Sequence, residues 1–427
     1  MSATACLLAF AGGDHVLPQA VRADALRLLG DTLAVGAAGA GAPGADAILA
    51  AARAMGRGEE ARLLGTSERL PAPAAAFVNG YRIHCLEWDA VHEPAVVHAL
   101  STVVAALGAA IDRRGGCDAE EALVALAVGV DIAAGLGLAA DSPLTFFRPA
   151  TAGVIGAALA VARIDGAPLD DALGLAFSSA AGTMQAHVEG LATLPFQIAN
   201  AARAAVTASD LARAGFPGPR EPLEGQFGYF RLFDSGDLTR YTTHLGKVWR
   251  IAEVSVKPFP SGRASHAMIG AILEGGLTTD DVEALEMYVP PLVHRLIGRA
   301  YHADMTPAYA RLCGPLLAAL ALTDGTIDPR RFSPETFADP AIADLAGRIA
   351  IRVDDNPDPN ALSPQRMVVH VPDGHLDMEI PHTLGSPASP LTPEQAAAKL
   401  ALARDLALAD ADPRIFTDPL AYFTGTP

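Results

Sequence analysis

Three imidazoles and three carboxylates crowd the stretch Asn79–His98: His84, Glu87, Asp89, His92, Glu93 and His98. Imidazole is the side chain whose ordinary pKa lies nearest neutrality, so it takes or gives a proton at working pH. A carboxylate beside it orients the ring or serves as a second acid or base. Each such group, once buried, must be paired or used. The stretch therefore reads either as one wall of an active site or as a polar loop over a helical core, with His98 opening the next helix. The spacing of His84, His92 and His98 fits no standard metal site, so no metal is expected.

A second run supplies fixed cations: Lys257-Pro-Phe-Pro-Ser-Gly-Arg263-Ala-Ser-His266. Cations of this kind stabilise negative charge that builds up during a reaction, and arginine grips a carboxylate through two parallel hydrogen bonds. Lys257 is one of only three lysines. The plain alternatives are a surface lysine in a turn, and an Arg263–His266 pair that holds two domains together. A third run, Gly182–Gly190, carries His187 and Glu189 between glycines. It reads as a segment closing over a site or as an ordinary helix-breaking loop.

These residues need a scaffold, and 427 residues, 51% of them hydrophobic, suffice for a large core and two domains. Alanine and glycine dominate the apolar content, which favours closely packed helices. Helices are expected over Pro18–Ala38, Ala45–Met55, from Pro71 into the histidine-rich stretch, and over Ser101–Arg113. Asp118 and Glu121 form a capping-box pattern for a helix running to about Ala140. That helix is apolar on every face except Asp131, which marks it as central to the body and Asp131 as a satisfied core group. Further helices are expected over Thr151–Arg163, Leu169–Ala181 and Ile198–Ala214. Leu63-Leu64-Gly65 reads as a brief extended piece.

After Trp249 the texture changes. Strands are expected at Ala284–Val289, Arg348–Val353, Met367–Val371 and Leu376–Ile380, the last two joined by a turn at Pro372–His375. A helix over Pro307–Leu322 lies among them, and Thr392–Ala409 is helical again. The sequence thus divides into a helical domain, residues 1–255 plus 391–427, and an α+β domain, residues 256–390.

The net charge of −17 argues against nucleic acid and against an anionic membrane surface as partners, but not against a small anionic substrate. The apolar stretch Ala95–Ile111 holds His98, Ser101 and Thr102 and reads as a buried helix, not a membrane span. Cys6, Cys85, Cys117 and Cys313 show no CxxC spacing, so neither an iron–sulfur cluster nor a structural zinc is signalled. With no leader pattern at the N-terminus, a reduced, cytoplasmic setting is expected. No GxGxxG, P-loop or HExxH is found.

The ordered set of motifs resembles the MmgE/PrpD superfamily, which includes 2-methylcitrate dehydratase, cis-aconitate decarboxylase and iminodisuccinate epimerase. Asn79-Gly80, His84 and Glu87-Trp88-Asp89 are similar to its NG…H…DFDD run. His98 stands where the family has a histidine just before a helix. Phe147-Arg148-Pro149-Ala150-Thr151 with Gly153 and Gly156 is similar to FHPTGT…G. Lys257-Pro-Phe-Pro with Arg263 and His266 is similar to KPYPCCR…H.

The resemblance implies a mostly α fold: a large all-helical domain with a smaller α+β domain inserted before the last helices, and the active site between them. It further implies a homodimer and no cofactor. Several positions depart from the family pattern. Glu87 replaces the first Asp of DFDD, Ala90 and Val91 follow Asp89, Arg148 replaces the His of FHP, Leu194 precedes Pro195 where decarboxylase-like members have Lys, and Leu316 takes the place of a tyrosine. On this reading His98, Lys257, Glu87 and Asp89 are the catalytic set. Arg148, Arg263, His266, His84 and His187 bind a small anionic polycarboxylate. The expected activity is that of a cofactor-independent lyase, a dehydratase of a di- or tricarboxylate. The alternatives are an epimerase or decarboxylase on the same scaffold, and a non-catalytic carboxylate-binding paralogue.

Overall fold

Small side chains let helices approach until backbone meets backbone, and the helical body is built on that closeness. In the computed structural model, which describes residues 2–358 and 360–425, the helix Ala119–Ala139 lies at its centre. It is long and apolar enough to cross a membrane, yet 94% of its most apolar window is buried inside the protein. It crosses Gly153–Asp165 so closely that a Cβ at Gly156 would fall 2.3 Å from the Gly129 carbonyl oxygen. Beyond its first turn its one acid is Asp131, which accepts from the Tyr241 hydroxyl at 2.7 Å and the Arg250 amide at 2.8 Å. Asp118 caps the helix by accepting from the Glu120 and Glu121 amides. The capping box is only half made, because the Glu121 carboxylate is drawn to Arg114 at 2.8 Å.

Around this centre pack Ala72–His84, Ala99–Arg114, Leu169–Ser178 and Thr193–Arg213. Pro393–Leu406 returns to lie against Gln19–Ala38, its start fixed by a capping box between Thr392 and Gln395. One apolar core runs through this body, from Ala3 to Val256, and takes in Ala403, Ile415, Tyr422 and Phe423. A second core spans Phe259 to Val369. It lies between the helices His266–Glu274 and Gly314–Asp324 and a four-stranded sheet. The strand order is Ile349–Val353, Ala284–Val289, Gln365–Val371, Gly374–Ile380. The first pair is parallel and the others antiparallel. Val371 pairs with Gly374, so the hairpin turns on Pro372-Asp373.

Three local expectations are corrected. A helix at Ala3–Gly12, capped by Ser2, precedes the first one expected. The extended piece is displaced: Ala61–Arg62 pairs with Arg69–Leu70, on either side of Leu63–Gly65. The helix expected over Pro307–Leu322 breaks into Pro307–Ala310 and Gly314–Asp324. Pro315 explains the break, since it has no N–H for the Arg311 carbonyl and its ring would clash there. The freed Arg311 carbonyl accepts instead from the Gly262 amide, at 3.0 Å. That contact ties the break to the Lys257–His266 turn.

Candidate active site

The helix Ala72–His84 ends on His84, and the chain then turns sharply through Glu87, at φ 53°. A tight hairpin follows. His92 and Val97 exchange both backbone hydrogen bonds, and Val96 closes the turn, also at φ 53°. Among the described residues these two are the non-glycines in the left-handed region. For a β-branched valine this is a strained conformation, of order 1–3 kcal/mol, of the sort that concentrates at functional sites. Both residues line the same cavity.

Asp89 is the hub. It is fully buried, and its Oδ2 accepts from His84 Nδ1 at 2.9 Å, from His98 Nδ1 at 2.9 Å, and from the Ser101 hydroxyl. His98 is the residue before the helix Ala99–Arg114, but its side chain does not cap that helix. Ser101, one turn further on, is a functional contact the sequence reading missed. Its only signal was its spacing of three from His98. With both Nδ1 atoms donating to Asp89, the neutral rings carry their lone pairs on Nε2. His84 Nε2 is buried without a hydrogen-bond partner, and so is Asp89 Oδ1.

The two imidazoles are driven in opposite directions. Burial dominates at His98 and lowers its pKa, the Asp89 carboxylate only partly offsetting it. At His84 burial is again the largest influence, but Asp89 and Glu87 together outweigh it and raise the pKa. Asp89 itself is held well below the usual carboxylate range, its burial overcome by the two imidazoles. Paired titratable groups pushed apart in this way mark an acid and a base. His84, Asp89 and His98 also form a donor set of types a metal ion accepts, with ligand atoms within 4.8 Å of one another. The hydrogen bonds account for both Nδ1 atoms and Oδ2 without one.

Lys257 crosses from the second domain. Its ammonium is fully buried and donates to the Glu87 carbonyl at 3.0 Å and to Glu87 Oε2 at 3.3 Å. Glu87 lies 3.7 Å from His84 Nε2. Burial would raise the Glu87 pKa, but Lys257 and the two imidazoles bring it below its ordinary value. His84, Glu87, His98, Lys257, His187 and Arg263 all line a cavity of about 70 Å³, room for a few water-sized groups.

Of the remaining expected site residues, Arg148 and His266 lie away from the cavity, and Arg263 and His187 reach only its wall. Arg148 is corrected from substrate binder to buried strut. Its guanidinium is paired side-on with Asp234 at 3.0 Å and donates to the Ser142 carbonyl at 2.9 Å. It also reaches the Ala95 carbonyl at 3.5 Å, next to the strained Val96. A carboxylate already occupies its fork, so none is free for substrate. His266 is likewise corrected: it is buried between the Ser261 carbonyl, at 3.2 Å, and Arg263. Arg263 reaches the cavity wall but spends its fork on Glu93 Oε1 at 2.7 Å and on the Thr383 and Leu384 carbonyls. It latches one domain to the other, the alternative the sequence had offered. His92 turns away to Glu253 at 3.1 Å. His187 sits in the short helix Gln185–Glu189. Its Nε2 is unpartnered, and burial beside Arg299 lowers its pKa to about 4.

Residues 15–241 match the MmgE/PrpD N-terminal domain and residues 259–415 the MmgE/PrpD C-terminal domain. The chain belongs to the MmgE/PrpD family. The boundary between the two MmgE/PrpD matches falls at the Lys257 turn, where the two cores meet. Among curated relatives, the cis-aconitate decarboxylase of Mus musculus is 28% identical over 316 residues, 68% of this chain and 62% of the relative. That of Homo sapiens is 25% identical over 303 residues, 66% of this chain and 62% of the relative. A cis-aconitate decarboxylase-like protein of Aspergillus oryzae is 30% identical over 280 residues, 60% of this chain and 57% of the relative. The matched part of this MmgE/PrpD chain thus spans about three fifths of each relative's own length.

Proposed function

We propose that this chain is a lyase of small di- or tricarboxylates, working by proton transfer at the carbon next to a carboxylate. The observation that carries the reading is Asp89 gripping two imidazoles by Nδ1 at the wall of one cavity. His98 Nε2 takes the proton from substrate or returns it. His84, whose protonated form is favoured, is the acid on the other side. The Lys257 ammonium, braced on Glu87, stabilises the negative charge that builds up when a proton or CO2 leaves. Each step is assigned to the chain's own side chains, and no cofactor is invoked. Dehydration of a hydroxy acid was the reaction expected from sequence. Decarboxylation is the second reading, favoured by the names of the relatives; the electron pair is then left on the carbon that loses CO2, and the same Lys257 ammonium stabilises it. Like the lyase reading itself, a homodimer is proposed; light scattering tests it.

A panel of di- and tricarboxylates, cis-aconitate among them, separates the chemistries. Dehydration creates an ultraviolet-absorbing conjugated bond, decarboxylation releases CO2, and epimerisation only exchanges an α-hydrogen in deuterated water. Ligand-induced thermal stabilisation with none of these signals would leave the chain a carboxylate binder and end the lyase reading.

The split between the two histidines sets the pH profile. His98 must be neutral, and its lowered pKa keeps it so until the pH falls under its ordinary value of about 6.5. His84 must be protonated, and its raised pKa keeps it so above about 6.5. We expect a bell-shaped kcat/KM with its top around neutrality, falling on the acid side as His98 protonates and on the basic side as His84 deprotonates. A rate that only rises with pH would remove His84 as the acid.

A further inference from the structure

Two of the predicted anion binders are spent, Arg148 on Asp234 and Arg263 on Glu93, while Lys257 is braced on Glu87 in the smaller cavity. A buried arginine at the domain boundary has no carboxylate partner. Arg311 is 4% exposed, and no carboxylate lies within ion-pair distance of it among the described residues. Among the described residues its guanidinium makes a single hydrogen bond, to the Cys85 carbonyl at 3.3 Å, and its Nε has no partner. It rests against the Phe332 ring, 5.2 Å from the centroid. A buried guanidinium with most of its five N–H donors unanswered is costly, unless an anion completes it.

Arg311 lines a chamber of about 240 Å³ between the domains. Helix Ala72–His84 and the Ala186–Pro195 segment form one side of it, and Thr306–Leu312 the other. Glu87, Leu194 and Leu312 line both this chamber and the catalytic cavity, so the two adjoin. The catalytic cavity alone holds only a few water-sized groups, less than a whole polycarboxylate needs.

We propose that this chamber seats a second carboxylate of the substrate, gripped by the Arg311 fork, while the reacting carbon lies in the smaller cavity against His98. The inference rests on the lyase reading above and adds a specificity residue to it. The fork accepts a planar carboxylate through two parallel bonds. The break forced by Pro315 holds Arg311 in place, through the bond from the Gly262 amide to its carbonyl. The enzyme should therefore take substrates with two separated carboxylates and reject their monocarboxylate analogues.

The test uses the intact protein and an unreactive probe, tricarballylate, with butyrate as the single-carboxylate control and inorganic phosphate as a second anion. Calorimetry on the wild type should show tricarballylate binding, with butyrate and phosphate far weaker. Arg311→Met should weaken tricarballylate on the order of 30-fold or more. Arg311→Lys, which keeps the charge and lacks the fork, should fall between the two. Circular dichroism confirms that the variants are folded, and Arg311→Lys carries the test if Arg311→Met is not. Wild-type affinity in a folded Arg311 variant, or phosphate binding as tightly as tricarballylate, overturns the inference and leaves the lyase reading intact. If no polycarboxylate binds or turns over, the lyase reading fails and the inference fails with it.

Discussion

Replacing His98 by alanine should lower turnover at least a hundredfold and leave the protein folded. Acid–base groups contribute ~10²–10⁴ to rate, and His98 is the imidazole best placed to reach substrate. Its side chain keeps 12% exposure on the cavity side, against 1% for His84. Its Nδ1 is committed to Asp89, so the ring presents Nε2 in a fixed orientation. The deletion should be tolerated because Asp89 Oδ2 still accepts from His84 and Ser101, and no helix cap is lost. The measurement is kcat on the best substrate of the polycarboxylate panel, with a thermal melt beside it. A melt within a few degrees of wild type and a collapsed kcat is the expected pair. A variant that turns over at the wild-type rate would take His98 out of the mechanism.

Much of this site is written in local sequence, and the rest is decided by contacts the sequence does not display. His84, Glu87, Asp89 and His98 lie close along the chain, so their types and spacing announced them. The central helix Ala119–Ala139 was readable because beyond its first turn it is apolar on every face, and Asp131 read as satisfied because it is the one polar group in that apolar run. The strand Ala284–Val289 was legible from its alternation, which becomes alternating burial. Arg148 misled because arginine beside an active-site motif looks like an anion binder. Its true partner, Asp234, lies 86 positions away in a segment with no pattern to flag it. Arg311 was passed over for the opposite reason: it sat inside an expected continuous helix, and only the break at Pro315 turns it toward the domain boundary. Long-range ion pairing and chain breaks are tertiary decisions, and local propensity does not rank them.

Asp89→Asn should cost more than any other conservative change at the site. The carboxylate oxygen Oδ2 faces three donors, His84, His98 and Ser101. An asparagine that keeps its carbonyl there places its amide at the Oδ1 position, which is buried and has no hydrogen-bond partner. One that turns the amide inward sets N–H against N–H, and an imidazole must then shift its proton to Nε2. Either way a buried donor is stranded or the base loses its lone pair on the substrate side. A wrong tautomer costs about 10⁴ in rate where a carboxylate orients a catalytic histidine. The loss of the buried negative charge should also lower stability by roughly 3 kcal/mol. The pH profile separates this from a merely damaged fold. Without the Asp89 charge, burial is less opposed at His84, whose pKa must fall, so the basic limb of kcat/KM should move to lower pH. Ser101→Ala removes one neutral donor to the Asp89 carboxylate and should slow the reaction by roughly ten- to a hundredfold, since a hydrogen bond to a charged group contributes about 1.5–3 kcal/mol. If Asp89→Asn slows the enzyme while its basic limb stays in place, Asp89 is holding the loop and not setting the charge on His84, and the acid–base assignment of the two histidines falls.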